Sequence, residues 1–493
     1  MQRFNNLYFF IIILFSINSF ALDNNPFLPL DKENKKQKKE DVAPPEIFPL
    51  DNEKQKNQDI APPEIFPDEH DPFLLDNTDV YIGEETLDIE NTDKTELKGF
   101  FEIQAGIRTQ KDQYEETFSN GQARCRLDFI HNVNNVLLNL KADLLCDPVY
   151  DHYSVKLEHG TGFIDLRELY LQLNINEDIQ FTVGRQILEW GHGDFLFVND
   201  IFPKDYISFF TSWDKTYFKA PSDLCKFSLT NQMINVDLLY SPRFDYDRFP
   251  NGERLSYYND FFNMTAGQNL IFETDTPDDW FEDDEFALRI YSTIGNIDVG
   301  IYAYKGMWKS PSGFEKNSGK GIFPRLNVYG FSTAAPIFNG LASFEIAYYD
   351  SKDDKYGTNP YIDNCQLRLL MGYSLIMPSN ITISSQYYME IMKDNENYMH
   401  NLRQGERPTD YGRHVISLKI EQELLENQMK FSIATLYCPT DTDIYLGPYI
   451  SYIYQKIWEF RAGANFMIGN EDHTNYGQFE HNSNIYIGAR IKF

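Results

Sequence analysis

Three groups of residues have types and spacing that could do chemistry. The first is Glu480-His481-Asn482-Ser483-Asn484, where a His two residues from a Ser could activate its hydroxyl and an Asn could orient the imidazole. The residue after Asn484 is Ile485 and the chain is long, so a polar turn is the simpler account of that spacing. The second is a set of charges at every other position of apolar segments: Arg108, Arg124, Arg126, Lys141, Glu168, Arg289, Arg325, Arg368, Arg461 and Arg490. With Lys226, Lys419, Lys430 and Lys492 the cations number thirteen, against nine carboxylates of the same parity, Glu102, Asp128, Asp143, Glu168, Asp237, Asp298, Glu345, Glu421 and Glu459. Such charges could line a pore, where an excess of Arg favours anions. They could equally pair with one another and leave little field. The third is the stretch 189–222, with Trp190, His192, Asp194, Asp200, Pro203 and Asp205, too aromatic and apolar for a solvated loop. It suits either a constriction folded into a lumen or a cap and receptor patch at its mouth.

The elements that position these residues read as strands. Val136, Leu138, Leu140, Ala142 and Leu144 alternate with Asn139, Lys141 and Asp143; Ile485, Ile487, Ala489 and Ile491 alternate with Tyr486, Arg490 and Lys492. Period-two patterning marks strands with one apolar face. It recurs in about eighteen segments. The first nine are 97–109, 121–130, 136–146, 163–175, 179–188, 223–230, 234–241, 285–294 and 297–305. The others are 322–334, 341–350, 363–376, 381–391, 413–425, 429–438, 443–455, 458–468 and 482–493. Short turns alternate with long polar loops such as 147–162, 189–222, 242–284, 306–320 and 392–412. The expected fold is all-β: a transmembrane antiparallel up-and-down barrel of about eighteen strands, with turns in the periplasm and loops outside. Eighteen strands enclose more space than wall side chains fill. The terminal strand ends on Phe493, the expected signal to outer-membrane assembly machinery.

Composition agrees. The 493 residues carry a formal net charge of -30, which argues against a nucleic-acid partner. Mean hydropathy is -0.47, and outside the first residues no apolar run is long enough for a spanning helix. Arg3, an apolar run over 7–17 and Ser19-Phe20-Ala21 form an expected signal peptide, 1–21. Residues 22–96 hold 21 acidic and 8 basic residues and read as a disordered periplasmic linker. Within it Asp41-Val42-Ala43-Pro44-Pro45-Glu46-Ile47-Phe48-Pro49 recurs as Asp59-Ile60-Ala61-Pro62-Pro63-Glu64-Ile65-Phe66-Pro67. That repeat is either a stiff spacer or a docking segment for a periplasmic partner. The barrel is expected over 97–493. Five Cys are too few and too scattered for a disulfide scaffold or metal site, and the acidic run 278–285 lacks regular calcium-ligand spacing.

Leu166-Arg167-Glu168-Leu169-Tyr170-Leu171, then Val183-Gly184-Arg185-Gln186-Ile187-Leu188-Glu189-Trp190-Gly191, then Asn199-Asp200-Ile201-Phe202-Pro203-Lys204-Asp205 resemble a porin-like family of outer-membrane barrels. That family is largely uncharacterised and similar to the alginate-export barrels, which are eighteen-stranded with an Arg-rich lumen. The resemblance implies a barrel of that kind; the Pro-rich repeat departs from it. Arg185 shares parity with Val183, so an inward Arg185 requires a local bulge. The resulting expectation is a non-enzymatic outer-membrane porin of a Gram-negative bacterium, with no cofactor or metal, lipid bilayer around it and small hydrophilic anionic solutes passing through. The alternative is a plugged receptor or adhesin working through its acidic loop 242–284; a phospholipase using His481 and Ser483 is a distant third.

Overall fold

A strand with one apolar face needs a partner on both edges, because hydrocarbon offers its N–H and C=O groups nothing. In the computed structural model, which describes residues 93–149, 155–157, 161–212, 214–402 and 406–493, every wall strand has two such partners. The expected signal peptide and Pro-rich repeat lie outside the described residues.

Eighteen strands form the wall. They are β1 Lys94–Arg108, β2 Ala123–Val133, β3 Val136–Cys146, β4 Ile164–Asn174, β5 Ile179–Gln186, β6 Ser222–Leu229, β7 Asn235–Ser241, β8 Glu285–Ile294 and β9 Ile297–Met307. The second half is β10 Arg325–Ile337, β11 Gly340–Ser351, β12 Gln366–Met377, β13 Ile381–Met392, β14 Gly412–Leu424, β15 Met429–Cys438, β16 Asp443–Tyr454, β17 Trp458–Ile468 and β18 Asn484–Lys492. Each pairs antiparallel with its chain neighbours, and β1 pairs with β18 from Phe100↔Lys492 to Arg108↔Asn484. The sheet therefore has no free edge. The first strand begins at Lys94, a little ahead of the expected 97.

The apolar parity faces outward. Leu97, Phe101, Ile103, Leu169, Leu171, Leu173, Ile301, Ile485 and Ile487 are all exposed on the outer surface. One end of the barrel carries tight connections, among them 134–135 and 295–296, where Asn134 and Gly295 have φ of 52° and 67°. The other end carries long connections, up to 242–284, with a hairpin at Tyr257–Asn259 and Met264–Ala266. A closed wall with this apolar exterior and this asymmetry of ends is a transmembrane β-barrel of the outer-membrane type.

Two local features re-aim charged side chains. Lys141 pairs with Glu168 but Ala142 pairs with Leu166, so Arg167 is an extra residue in β4. This bulge turns Arg167 inward, 1% exposed, 3.6 Å from Asp165. Arg325 corrects the expectation of a lumenal site. Its parity is that of Tyr329 and Phe331 on the outer face, its side chain is 74% exposed, and it pairs with Asp353 at 2.7 Å. In β10 the apolar Leu326 and Val328 point inward instead.

The seam closes on a small residue. Phe493 exchanges backbone hydrogen bonds with Gly99 at 3.0 Å each way, and its ring lies 5.3 Å from that of Phe101. A β-carbon at Gly99 would meet the Phe493 ring and the Arg126 carbonyl. Gly99→Val is expected to weaken the seam by about 1–3 kcal/mol, as overpacking does. Heat-modifiable gel mobility should then convert to the unfolded form at a lower temperature; an unchanged conversion would contradict a packed seam.

Candidate functional site

Segment 187–221 connects β5 to β6 and turns sharply twice. Asp205 caps helix α1, Tyr206–Thr211, by accepting from Ser208 N at 2.8 Å, and Asp214 caps the single turn Lys215–Tyr217 through Thr216 N at 3.1 Å. These short side chains satisfy N–H groups that the turns leave unpaired. The chain then runs along residues of the inner wall parity.

On one side it meets β10 to β13. Glu345 of β11 accepts from His192 N, from Asn199 N at 3.0 Å and from Asn199 Nδ2 at 2.8 Å. Gln386 of β13 accepts from Asp194 N at 3.1 Å and donates to the His192 carbonyl at 2.8 Å. Tyr349 donates its hydroxyl hydrogen to the Val198 carbonyl at 2.8 Å. Gly330 of β10 admits Asn199, whose side-chain oxygen occupies the space a β-carbon would need. Trp190 packs 5.0 Å from Phe202 and 5.7 Å from Tyr302.

On the other side it meets β1 to β4 and β16 to β18. The Asp214 carboxylate lies 3.0 Å from Arg461 and 2.5 Å from Arg490, and the same two guanidiniums hold Glu102 of β1. Tyr217 donates to Asp143 at 2.9 Å, under the Arg124 guanidinium at 3.9 Å from its ring centre. Arg167 donates to the carbonyls of Thr216 and Lys219 at 3.0 and 2.6 Å. Phe209 stacks near Tyr445 at 5.0 Å, and Phe210 near Phe479 at 4.5 Å.

The expected site residues divide accordingly. Trp190, Asp200, Pro203 and Asp205 are buried, His192 is half-buried and Asp194 exposed. Arg124 and Arg126 both grip Asp143, at 2.5 and 2.7 Å. Lys141 pairs with Glu168 at 3.2 Å. Arg368 pairs with Glu390 at 3.3 Å and lies over Tyr349. Arg289 lies over Tyr291 at 3.9 Å and faces Asp237 in register. Arg108 donates to the carbonyls of Phe118 at 2.9 Å and Arg254 at 2.7 Å. Arg185 keeps the outward parity of Val183, so no bulge intervenes; it pairs with Asp223 at 2.6 Å beneath the Leu157 carbonyl. Phe493 sits at the seam.

Three functional residues escape the sequence pattern. Asp214 and Tyr217 sit in the loop without periodicity, and Arg248 lies in 242–284. Arg248 pairs with Asp165 at 2.9 Å and Asp205 at 3.1 Å, so the start of that second loop packs on the first. The Asp-x-Thr spacing of Asp214 and Thr216 was the one legible signal, as a cap. Ser483 is 2% exposed, at the end of the turn preceding β18, and directs its hydroxyl to the Met467 carbonyl at 3.2 Å. Ser483 is thus packed inside the fold rather than presented on the outer surface, which counts against the phospholipase alternative.

Loop electrostatics follow burial and partners. Burial pushes the Asp214 carboxyl up, but Arg490 and Arg461 outweigh it and hold it well below the usual range. Burial, with Arg289 nearby, lowers His192 to about 4, so its ring is neutral near neutral pH. Burial pushes Glu189 up to about 7 against the pull of Lys219, 3.1 Å away. Burial likewise pushes Asp245 up to about 7.

No family model matches the chain, and no curated protein matches it in sequence. Solved structures of similar architecture do. Salmonella typhi OmpF in complex with daunomycin is 11% identical over 82% of this chain and 98% of that one, with a TM-score of 0.41. Acinetobacter baumannii OccAB4 is 9% identical over 82% and 99%, with a TM-score of 0.48. Pseudomonas aeruginosa OccK5 (OpdH) is 10% identical over 81% and 97%, with a TM-score of 0.45. Likeness at this level speaks for neither solute nor mechanism, and the similarity to alginate-export barrels gains no support from it.

A carboxyl whose pKa is raised on folding adds stability in full below its ordinary value, and that contribution is lost as pH rises through the raised one. For Glu189 the window runs from 4.5 to about 7. Segment 187–221 is therefore expected to loosen as pH rises through about 7, read as faster amide exchange in the folded barrel. Glu189→Gln should shrink that pH response, leaving the part due to Asp245. An unaltered profile in the variant would contradict the assignment.

Proposed function

We propose that the barrel is an outer-membrane channel passing small hydrophilic solutes, narrowed by the segment 189–222 and mildly selective for anions. One observation carries the anion preference. At two inner-wall pairs a lysine is the more exposed partner, Lys141 at 26% against 13% for Glu168 and Lys430 at 30% against 5% for Glu421, whereas the order reverses at Arg126 and Asp128, and Arg368 and Glu390 are equal. At those two pairs water meets the ammonium group before the carboxylate. Pairing keeps the field weak, so the preference is modest rather than exclusive. Because an eighteen-strand wall leaves a channel that its own side chains do not fill, the segment packed against the inner wall is what sets the bore. Export by the 1–21 leader, a periplasmic linker whose repeat docks a partner there, and insertion by assembly machinery reading Phe493 complete the proposal.

A second reading has a specific observation behind it. Segment 189–222 reaches wall strands on opposite sides, and Arg248 ties 242–284 onto it. A lumen plugged in this way suits a receptor that works through its outer loops, where Trp280 and Phe281 are exposed.

Deleting residues 195–205 separates the two. The channel reading expects single-channel conductance of the folded barrel to rise at least about twofold, since the narrowest section dominates a pore's resistance. Unchanged conductance in a variant with normal heat-modifiable mobility would refute the constriction. No current in the parent and current in the variant would favour the plug.

A further inference from the structure

On the outer wall a cation faces lipid with no anion of its own. Lys305 of β9 has the outward parity of Ile301 and Ala303, and it is exposed two residues before the strand ends at Met307, where the long connection 308–324 begins. It stands in register between Phe286 of β8 and Asn327 of β10. Its ammonium lies 5.5 Å from the centre of the Phe286 ring, and it forms no ion pair among the described residues. Arg325, two positions before Asn327 on the same outward face, is the diagonal neighbour of Lys305, with α-carbons roughly 7–8 Å apart. The carboxylates of this rim are already engaged. Asp353 holds Arg325 at 2.7 Å, Asp350 holds Lys352 at 2.8 Å, and Asp284 meets the Tyr240 hydroxyl.

Below Lys305 the wall is hollow. The next outward row runs in register through Phe227, Leu238, Leu288, Ala303 and Tyr329. Ala303 is the small side chain of that row, set between Leu288 and Tyr329. These residues, with Phe286 and Lys305, line an outer-surface groove of about 560 Å³. Phe227, Leu238 and Tyr329 stay exposed along it.

A lysine on the lipid face of a barrel is least costly at the headgroup level, and an anion there offsets the rest. A hollow that opens onto hydrocarbon is filled by an acyl chain. We propose that Lys305 and Arg325, with the groove over Ala303, seat one acylated lipid bearing an anionic phosphate headgroup. The phosphate sits on the two cations and one chain lies along the groove. The order of chemistry on the wall argues for this occupant: cations at the rim, then apolar surface toward mid-wall, match an amphiphile read from its head to its chain. Free phosphate would satisfy the cations and leave the groove empty. The seat lies on the lipid side of the wall, so it stands whether or not the lumen conducts.

Native mass spectrometry of the folded full-length barrel, released from detergent, counts bound lipids directly. The probes are dimyristoyl phosphatidic acid and dimyristoyl phosphatidylcholine, which share their chains and differ in headgroup. One phosphatidic acid per chain is expected, bound at least about tenfold more tightly than phosphatidylcholine. Lys305→Gln should weaken phosphatidic acid about fivefold and leave phosphatidylcholine unchanged, while Lys305→Arg keeps the preference. Ala303→Phe, which fills the groove, should weaken both lipids; Arg325→Gln serves if it fails to fold, judged by heat-modifiable mobility, and should act as Lys305→Gln does. Inorganic phosphate should not displace the lipid. Equal retention of the two lipids, an unchanged Lys305→Gln barrel, full retention in a folded Ala303→Phe barrel, or displacement by inorganic phosphate would each overturn the seat. So would barrels that pair through this face and retain no lipid, which would put a second copy in the groove.

Discussion

Lipid leaves the backbone no partner but itself, and the rest of this structure depends on that constraint. It forces the sheet to close, β1 onto β18, and closure with eighteen strands makes a ring wider than its own side chains fill. In the reading proposed here segment 187–221 narrows that ring, through its contacts with inward-parity residues such as Glu345, Gln386 and Arg461. The same constraint explains why the outer surface is apolar and the polar groups are gathered inside.

Inside, the decisive interactions are ion pairs away from water. An exposed pair contributes about 0–1 kcal/mol, while removing one member of a buried pair costs about 3–5 kcal/mol. Asp214 lies between Arg461 and Arg490, and Asp143 between Arg124 and Arg126, all with little exposure. The Asp214 pair, with the Tyr217 hydrogen bond to Asp143, ties the segment to strands on that side of the ring. At Lys141 and Lys430 the long lysine stem leaves the ammonium nearer the water than its carboxylate, while at Arg126 the order is reversed, with Asp128 the more exposed.

The wall was legible in the sequence because alternation has one cause over most of its length. Segments 136–146, 285–294, 429–438 and 458–468 coincide with strands to the residue. The pattern misleads where that cause changes. Apolar parity implies a lipid-facing side, but in β10 the inward Leu326 and Val328 are buried on the inner face, which puts Arg325 outside. A single extra residue hides Arg167 the same way, since parity counting assumes no bulge. Asp214, Tyr217 and Arg248 act at long range from irregular chain, where neither period nor propensity speaks.

The central claim is that water and ions cross the ring past the segment, meeting cations first. Single-channel current of the refolded barrel in a planar bilayer, under a salt gradient, addresses it most directly. The account predicts steady ohmic conductance and a reversal potential displaced modestly toward that of the anion. A folded barrel that carries no current, or one whose reversal potential lies on the cation side, would contradict it.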